Sequence, residues 1–235
     1  MPTAPHLCGL ILAAGQSSRM GRDKALLPWP PRQSSRVPPV STLRPGLPRP
    51  SAHKIPLPPA DTLLSAAILA LNPLAGTVIV VAGKNAAALA PVIGINGAIL
   101  VRNPDPDRGQ FSSLQVGLRE LLDRGSDAAI ITPVDCPPLS AESLQLLRAS
   151  FTRAVSRGLW AVAPENNGKH GHPLFVNRQM ISAFLTAPVT STAREVLHAH
   201  AQRIEYVPVP DSLAKAGLNT PQDYAAHTGK PAPPV

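Results

Sequence analysis

The chain has 235 residues, a formal net charge of +8 and 3% aromatic residues. A chain of this length forms one large domain or two small ones around a real core. The scarcity of aromatics points to a Leu/Ile/Val/Ala core and away from the base-stacking platforms of single-stranded nucleic-acid binders. The charge is local: five bases, Arg32, Arg36, Arg44, Arg49 and Lys54, stand between Pro28 and Pro59 with no acid, and without them the balance is +3. That is ordinary for a protein that handles phosphates, so no nucleic-acid partner is expected.

In chain order, Met1–Gly15 has an apolar centre and an Ala-Ala-Gly end but no basic segment before it. It therefore reads as a first strand, Leu7–Leu12, and not as a signal peptide. Consecutive apolar positions suit a parallel strand covered on both faces. The loop that follows is bounded by Gly15 and Gly21 and carries Arg19 and Lys24. Glycines let a ligand approach the backbone, and loop N–H groups and the two bases suit an anion, so the stretch outlines a phosphate site or an ordinary strand-to-helix turn.

From Pro28 to Pro59 eleven of thirty-two residues are proline, a density that neither helix nor sheet tolerates. An extended or disordered insert at about 29–60 is expected, as a surface loop or as a basic lid or docking arm. Asp61 is then a candidate N-cap for a helix over Thr62–Leu71. A strand over Thr77–Ala82, a helix beginning at Asn85–Leu89 and a strand over Ala98–Val101 follow. Gln110–Leu122 has a helical apolar stripe of Phe111, Leu114, Leu118, Leu121 and Leu122. Asp127–Thr132 is a buried strand, Ser140 caps a helix to about Ala154, and strands at Leu159–Ala163 and Leu174–Val176 flank a Gly- and His-containing hairpin tip around Gly171. Short helices near Gln179–Leu185 and Thr192–His200, a strand at Ile204–Val207 and a Pro-rich tail at 229–235 complete the pattern.

Strands alternating with helices imply a three-layer α/β/α fold with a mostly parallel sheet, in one domain over 1–230. Ligands of such sheets bind beyond the carboxyl ends of the strands. The informative residues stand there: the loop after Leu12, the segment after Val101, and Asp135. Asp135 is a structural cap or a Mg²⁺ ligand, Asn219 a second ligand or a turn cap, and Ser112 and Ser113 bind a base or phosphate, cap a helix, or do both. His170 and His172 lack a third nearby ligand, so a substrate-recognising tip is the better reading than a metal site. Cys8 and Cys136 fit no metal or disulfide pattern, which suits a reducing cytoplasm. No apolar run approaches the ~20 residues that span a membrane. No Walker A, Gly-x-Ser-x-Gly or Cys/His nucleophile signature is present.

Leu12-Ala13-Ala14-Gly15-x-Ser17-x-Arg19-Met20-Gly21-x-x-Lys24 resembles the signature loop of nucleotidyltransferases of the nucleotide-diphospho-sugar transferase, glycosyltransferase-A-like fold. Asn103-Pro104, Gly109-Gln110-Phe111-Ser112-Ser113-Leu114, Pro133-Val134-Asp135-Cys136-Pro137, Gly171-His172-Pro173 and Asn219-Thr220-Pro221-Gln222-Asp223 follow in the order of molybdenum cofactor cytidylyltransferase-like proteins. The resemblance implies transfer of a nucleoside monophosphate from CTP to the terminal phosphate of molybdopterin, with release of pyrophosphate. By position it implies that Leu12, Ala13, Ala14 and Gly15 line the nucleotide pocket, Arg19 and Lys24 neutralise the triphosphate, Asp135 and Asn219 hold Mg²⁺, and Gly171, His172 and Pro173 meet the acceptor. A molybdoenzyme is the implied client. Guanylyl-transferring relatives carry a second glycine where this chain has Ala14, although the Pro-Val-Asp-Cys-Pro form leaves the base open. Competing readings are a GTP-using enzyme of the same pathway, a sugar-phosphate nucleotidyltransferase, a non-catalytic cofactor chaperone and a basic RNA-binding module.

Overall fold

A computed structural model describes residues 6–15, 20, 23–29 and 61–232. The expectations for the insert at 30–60 and for Arg19 therefore lie outside the described residues. The strands are β1 (Leu7–Leu12), β2 (Thr77–Ala82), β3 (Ile99–Arg102), β4 (Ala128–Pro133), β5 (Ala161–Asn166), β6 (Lys169–His170), β7 (Leu174–Val176) and β8 (Ile204–Pro208). They form one sheet in the order β3-β2-β1-β4-β7-β5-β6, with β8 paired to β5. β1, β2, β3 and β4 run parallel, as do β5 and β8. β7 is antiparallel to both β4 and β5, joining two parallel blocks. It can run that way because it follows β5 through the short β6 hairpin, with no crossover helix between them.

The helices are α1 (Leu63–Leu71), α2 (Ala86–Ile95), α3 (Gln110–Asp123), α4 (Ala141–Ser156), α5 (Arg178–Thr186), α6 (Ala193–Ala199) and α7 (Pro221–Thr228). Alternation along β1 sorts them into layers: Ile11 faces the cluster built with α1, α2 and α4, while Cys8, Leu10 and Leu12 face the cluster built with α3, α5 and α6. Gly117 lets α3 lie close to the sheet, since a Cβ there would stand 2.4 Å from Leu10 Cδ1. No described helix is long and apolar enough to cross a membrane.

Several boundaries differ from the sequence reading. The cap of α1 is Thr62, not Asp61: its hydroxyl accepts from the Ser65 N–H while Ser65 closes the box on the Thr62 backbone. Leu122 is only partly buried at the edge of the α3 stripe. The hairpin tip is Asn167-Gly168, where two successive residues have φ of 52° and 72°, the backbone a tight two-residue turn demands. Gly171-His172-Pro173 instead lies between β6 and β7.

The segment outside the described residues begins after Trp29, which is 8% exposed and packs with Met20, Leu27, Leu63, Leu218 and Tyr224. Its flanks are tied together. Trp29 N–H donates to Asp61 O at 3.0 Å, Leu63 N–H to Leu27 O at 2.7 Å, and Pro28 bridges Thr62 in antiparallel fashion. At the other end, Ala232 of the tail packs against the same cluster.

Candidate active site

Beyond the carboxyl ends of β1 and β4 lies a cleft of about 420 Å³ lined by Leu12, Ala13, Ala14, Gly15, Asp23, Lys24, Pro106, Asp107, Gly109, Gln110, Ser113, Val134, Asp135 and Asn219. The fold brings them there from five separate stretches. β1 and β4 pair so that Leu12 lies beside Pro133, and Val134 N–H continues the ladder to Leu12 O. Asp135 O accepts from Leu218 N–H at 2.8 Å, which draws the Leu218-Asn219 turn to the end of β4. Thr220, not Asn219, caps α7. Asp223 accepts from the Asn219 and Thr220 N–H groups, so the backbone of Asn219 is fixed while its side chain is released into the cleft.

Lys24 is the hub. Its ammonium lies 3.1 Å from Asp135 Oδ2 and 2.9 Å from Asn219 Oδ1, and the Lys24 and Asp135 side chains are 14% and 27% exposed. The pair is partly withdrawn from water, where charges are screened less than at an open surface. Two hard oxygens thus converge on one cationic point, and that donor chemistry fits Mg²⁺ or Mn²⁺, which take one or two protein oxygens and complete their shells with phosphate oxygens and water. Among the described residues no cluster of three or more His, Cys, Asp or Glu side chains competes for a metal.

The opposite wall is the start of α3. Its N-cap, Gly109, has φ of 91° and no side chain caps the helix. The Gly109 and Ser112 N–H groups are spent on Pro106 O and Gly109 O, which leaves the Gln110 N–H, on a residue that lines the cleft, as the helix-terminal donor suited to an anion. Ser113 lines the cleft; Ser112, one position earlier, does not, and donates to Gly109 O at 2.8 Å. Neither serine is the helix cap.

The floor departs from the sequence reading in one respect. Ala13 N–H is spent on Val81 O, and Ala13 O accepts from Asn85 Nδ2, so the backbone polar groups available to a ligand are those of Ala14 and Gly15. Asn85 also donates to Asp23 Oδ2 at 2.6 Å and accepts from Gly83 N–H at 3.0 Å. Asp23 in turn accepts from Ala25 N–H and starts the single turn that carries Lys24. Asp23 and Asn85 were not singled out from the sequence. An Asp followed by a helical turn looks like a cap, and only the fold brings Asn85 to it.

Gly171-His172-Pro173 lies outside the cleft lining. Gly171 N–H donates to Pro164 O, His172 N–H to Ala214 O, and a Cβ on Gly171 would fall 1.5 Å from Ala214 O. Close packing thus explains the glycine. Burial pushes the His172 imidazole down from its usual pKa, partly offset by the Ile131 backbone and the Asp135 charge. His172 Nδ1 is shielded and has no hydrogen-bond partner among the described residues. Burial, with the Asp135 charge beside it, pushes the Cys136 thiol up to about 12, so it is no nucleophile at neutral pH.

This α/β architecture is that of the nucleotide-diphospho-sugar transferases. Residues 9–204 match the MobA-like NTP transferase domain, and the chain belongs to that family. The fold is similar to that of Rv0371c from Mycobacterium tuberculosis H37Rv in complex with manganese, with a TM-score of 0.66, 17% identity and coverage of 96% of this chain and 99% of that one. It is also similar to molybdopterin-guanine dinucleotide biosynthesis protein A from Archaeoglobus fulgidus, with a TM-score of 0.62, 13% identity and coverage of 94% and 97%. A third similar structure is 4-diphosphocytidyl-2C-methyl-D-erythritol synthase from Anaerococcus prevotii, with a TM-score of 0.60, 11% identity and coverage of 96% and 95%. No curated protein matches the chain in sequence.

Proposed function

We propose that this protein transfers a nucleoside monophosphate from Mg-CTP to the terminal phosphate of molybdopterin and releases pyrophosphate. The observation that carries the reading is the convergence of Lys24, Asp135 and Asn219 in a cleft that is also lined by the start of α3, a helix with no side-chain cap. Asp135 and Asn219 would hold the divalent cation, which when bound supplies charge neutralisation at the phosphate oxygens. Lys24 and, by resemblance, Arg19 bind the triphosphate and balance the charge that develops on pyrophosphate. The α3 terminus and the backbone of Ala14 and Gly15 orient the nucleotide.

The acceptor phosphate is already anionic near neutral pH. Its oxygen forms the new bond to the α-phosphorus as the α–β bridging bond breaks, and the electron pair leaves with pyrophosphate. No proton has to move, so the site needs alignment and charge more than a general base. Gly171, His172 and Pro173 are proposed for the acceptor side, with His172 neighbouring Asp135. The preference for cytosine rests on Ala14, which lines the cleft where guanylyl-transferring relatives have glycine. The proposed setting is the cytoplasm, with a molybdoenzyme as client.

Pyrophosphate release, measured with each of the four Mg-NTPs against molybdopterin, a sugar phosphate and a methylerythritol phosphate, tests the reading. Turnover with molybdopterin and CTP is expected. Turnover with another acceptor alone reassigns the substrate, and none with any pairing overturns the proposal.

A further inference from the structure

We propose that Asn103 is a positioning residue that makes the Ser113 hydroxyl a hydrogen-bond donor to an oxygen of the bound nucleotide. The inference rests on the nucleotide reading above and assigns a role to the Asn103-Pro104 motif, which that reading leaves unused.

Asn103 is 2% exposed and sits just past β3, where its N–H extends the ladder to Ala82 O at 2.8 Å. The orientation of its amide follows from its neighbours. Asp105 N–H, which can only donate, points at Oδ1 from 3.0 Å, so the nitrogen must be the atom facing the other way. That nitrogen stands 2.9 Å from both Ser112 Oγ and Ser113 Oγ. An amide nitrogen offers hydrogens and no lone pair, so both hydroxyl oxygens accept from it. Each serine is left with its own hydrogen to place. Ser112 places it on Gly109 O at 2.8 Å. Ser113, 2% exposed, has no acceptor for its hydrogen among the described residues, and it lines the cleft.

The arrangement therefore fixes polarity. A lone serine hydroxyl donates or accepts as the ligand requires, whereas one already accepting from a buried amide meets the ligand as a donor. The matching ligand atom is an oxygen acceptor, on phosphate, ribose or base. Holding the polarity in advance avoids the cost of ordering the hydroxyl when the ligand arrives.

The test is a double-mutant cycle in nucleotide affinity, read by calorimetry with the Mg-NTP that the wild type binds tightest of the four. Asn103→Asp keeps shape but replaces the donor with an acceptor, which draws the Ser113 hydrogen away from the cleft. Both Asn103→Asp and Ser113→Ala are expected to raise Kd about tenfold, the weight of one hydrogen bond. Because Asn103 acts through Ser113, the double variant should match Ser113→Ala within about twofold, which a purely structural asparagine would not do. Mg-tripolyphosphate identifies the acceptor: a parallel loss on Ser113→Ala assigns a phosphate oxygen, and a loss confined to nucleotides assigns a ribose or base oxygen. An unchanged Kd for Ser113→Ala, or a double variant weaker than Ser113→Ala by a further tenfold, overturns the inference. The first of these outcomes is informative even where Asn103→Asp does not fold. A wild type that binds none of the four nucleotides overturns the nucleotide reading itself, and this inference with it.

Discussion

Lys24 and Asp135 stand 111 positions apart in the chain and 3.1 Å apart in the fold, with Asn219 Oδ1 completing a triangle around the same ammonium. The lysine thus occupies the point on which the two oxygens converge. Removal of one preorganised electrostatic contact of this kind typically costs roughly 10²–10³ in rate, and Lys24→Ala and Asp135→Ala should each lose that much in pyrophosphate release.

A second outcome follows from the same triangle. If Asp135 and Asn219 hold the divalent cation as proposed, the Lys24 ammonium, which contacts both oxygens, competes with that cation when no nucleotide is bound. Lys24→Met keeps the aliphatic stem and removes the charge, so the nucleotide-free variant should bind Mn²⁺ about tenfold more tightly than the wild type. Electron paramagnetic resonance of free Mn²⁺ measures this directly. Equal affinities would refute competition by Lys24.

Gly171 stands where no side chain fits. A Cβ there would lie 1.5 Å from Ala214 O, a backbone atom held in the turn before α7. Gly171→Ala should therefore destabilise the fold by about 3 kcal/mol, the upper range for forced overpacking, visible as a lower urea midpoint. A variant as stable as wild type would mean that the 212–215 turn yields freely.

His172 carries a pH signature. Its imidazole is partly buried with Nδ1 shielded from water, and desolvation holds its pKa below the usual 6.5. The unfolded chain therefore binds the proton first as pH falls, and stability rises with pH wherever the unfolded state binds more protons. The contribution of His172 is fully present above about pH 6.5 and is lost progressively down to the lowered folded value. Urea midpoints between pH 5 and 8 should fall on the acid side in the wild type and fall less in His172→Gln. Parallel pH profiles would sink this account.

The strands were legible because β1, β2 and β4 are consecutive apolar runs that end at small or polar residues, the mark of a strand buried on both faces. Asp135 was legible for the same reason, as an acid where such a run stops. Strand direction was not, since an apolar run looks the same parallel or antiparallel, and β7 is reversed. The slip from Thr62 to Asp61 arose because both residues cap helices well, and the deciding partner is the Ser65 hydroxyl. Ser112 and Ser113 look equivalent in a sequence, yet successive helical residues point about 100° apart, and only Ser113 meets the cleft. The link between Asp23 and Asn85 spans 62 positions and carries no local periodicity.

The ladder formed by Leu27, Pro28 and Trp29 with Asp61, Thr62 and Leu63 joins the two flanks of residues 30–60. It is a port for extra chain: with the flanks joined, a change of length at 30–60 is expected to leave the walls of the cleft in place. Replacement of residues 32–58 by a Gly-Ser linker of a few residues should leave the thermal midpoint and nucleotide affinity close to wild type, which calorimetry checks. A collapse of either would mean that the detour, and not the ladder, holds the port shut.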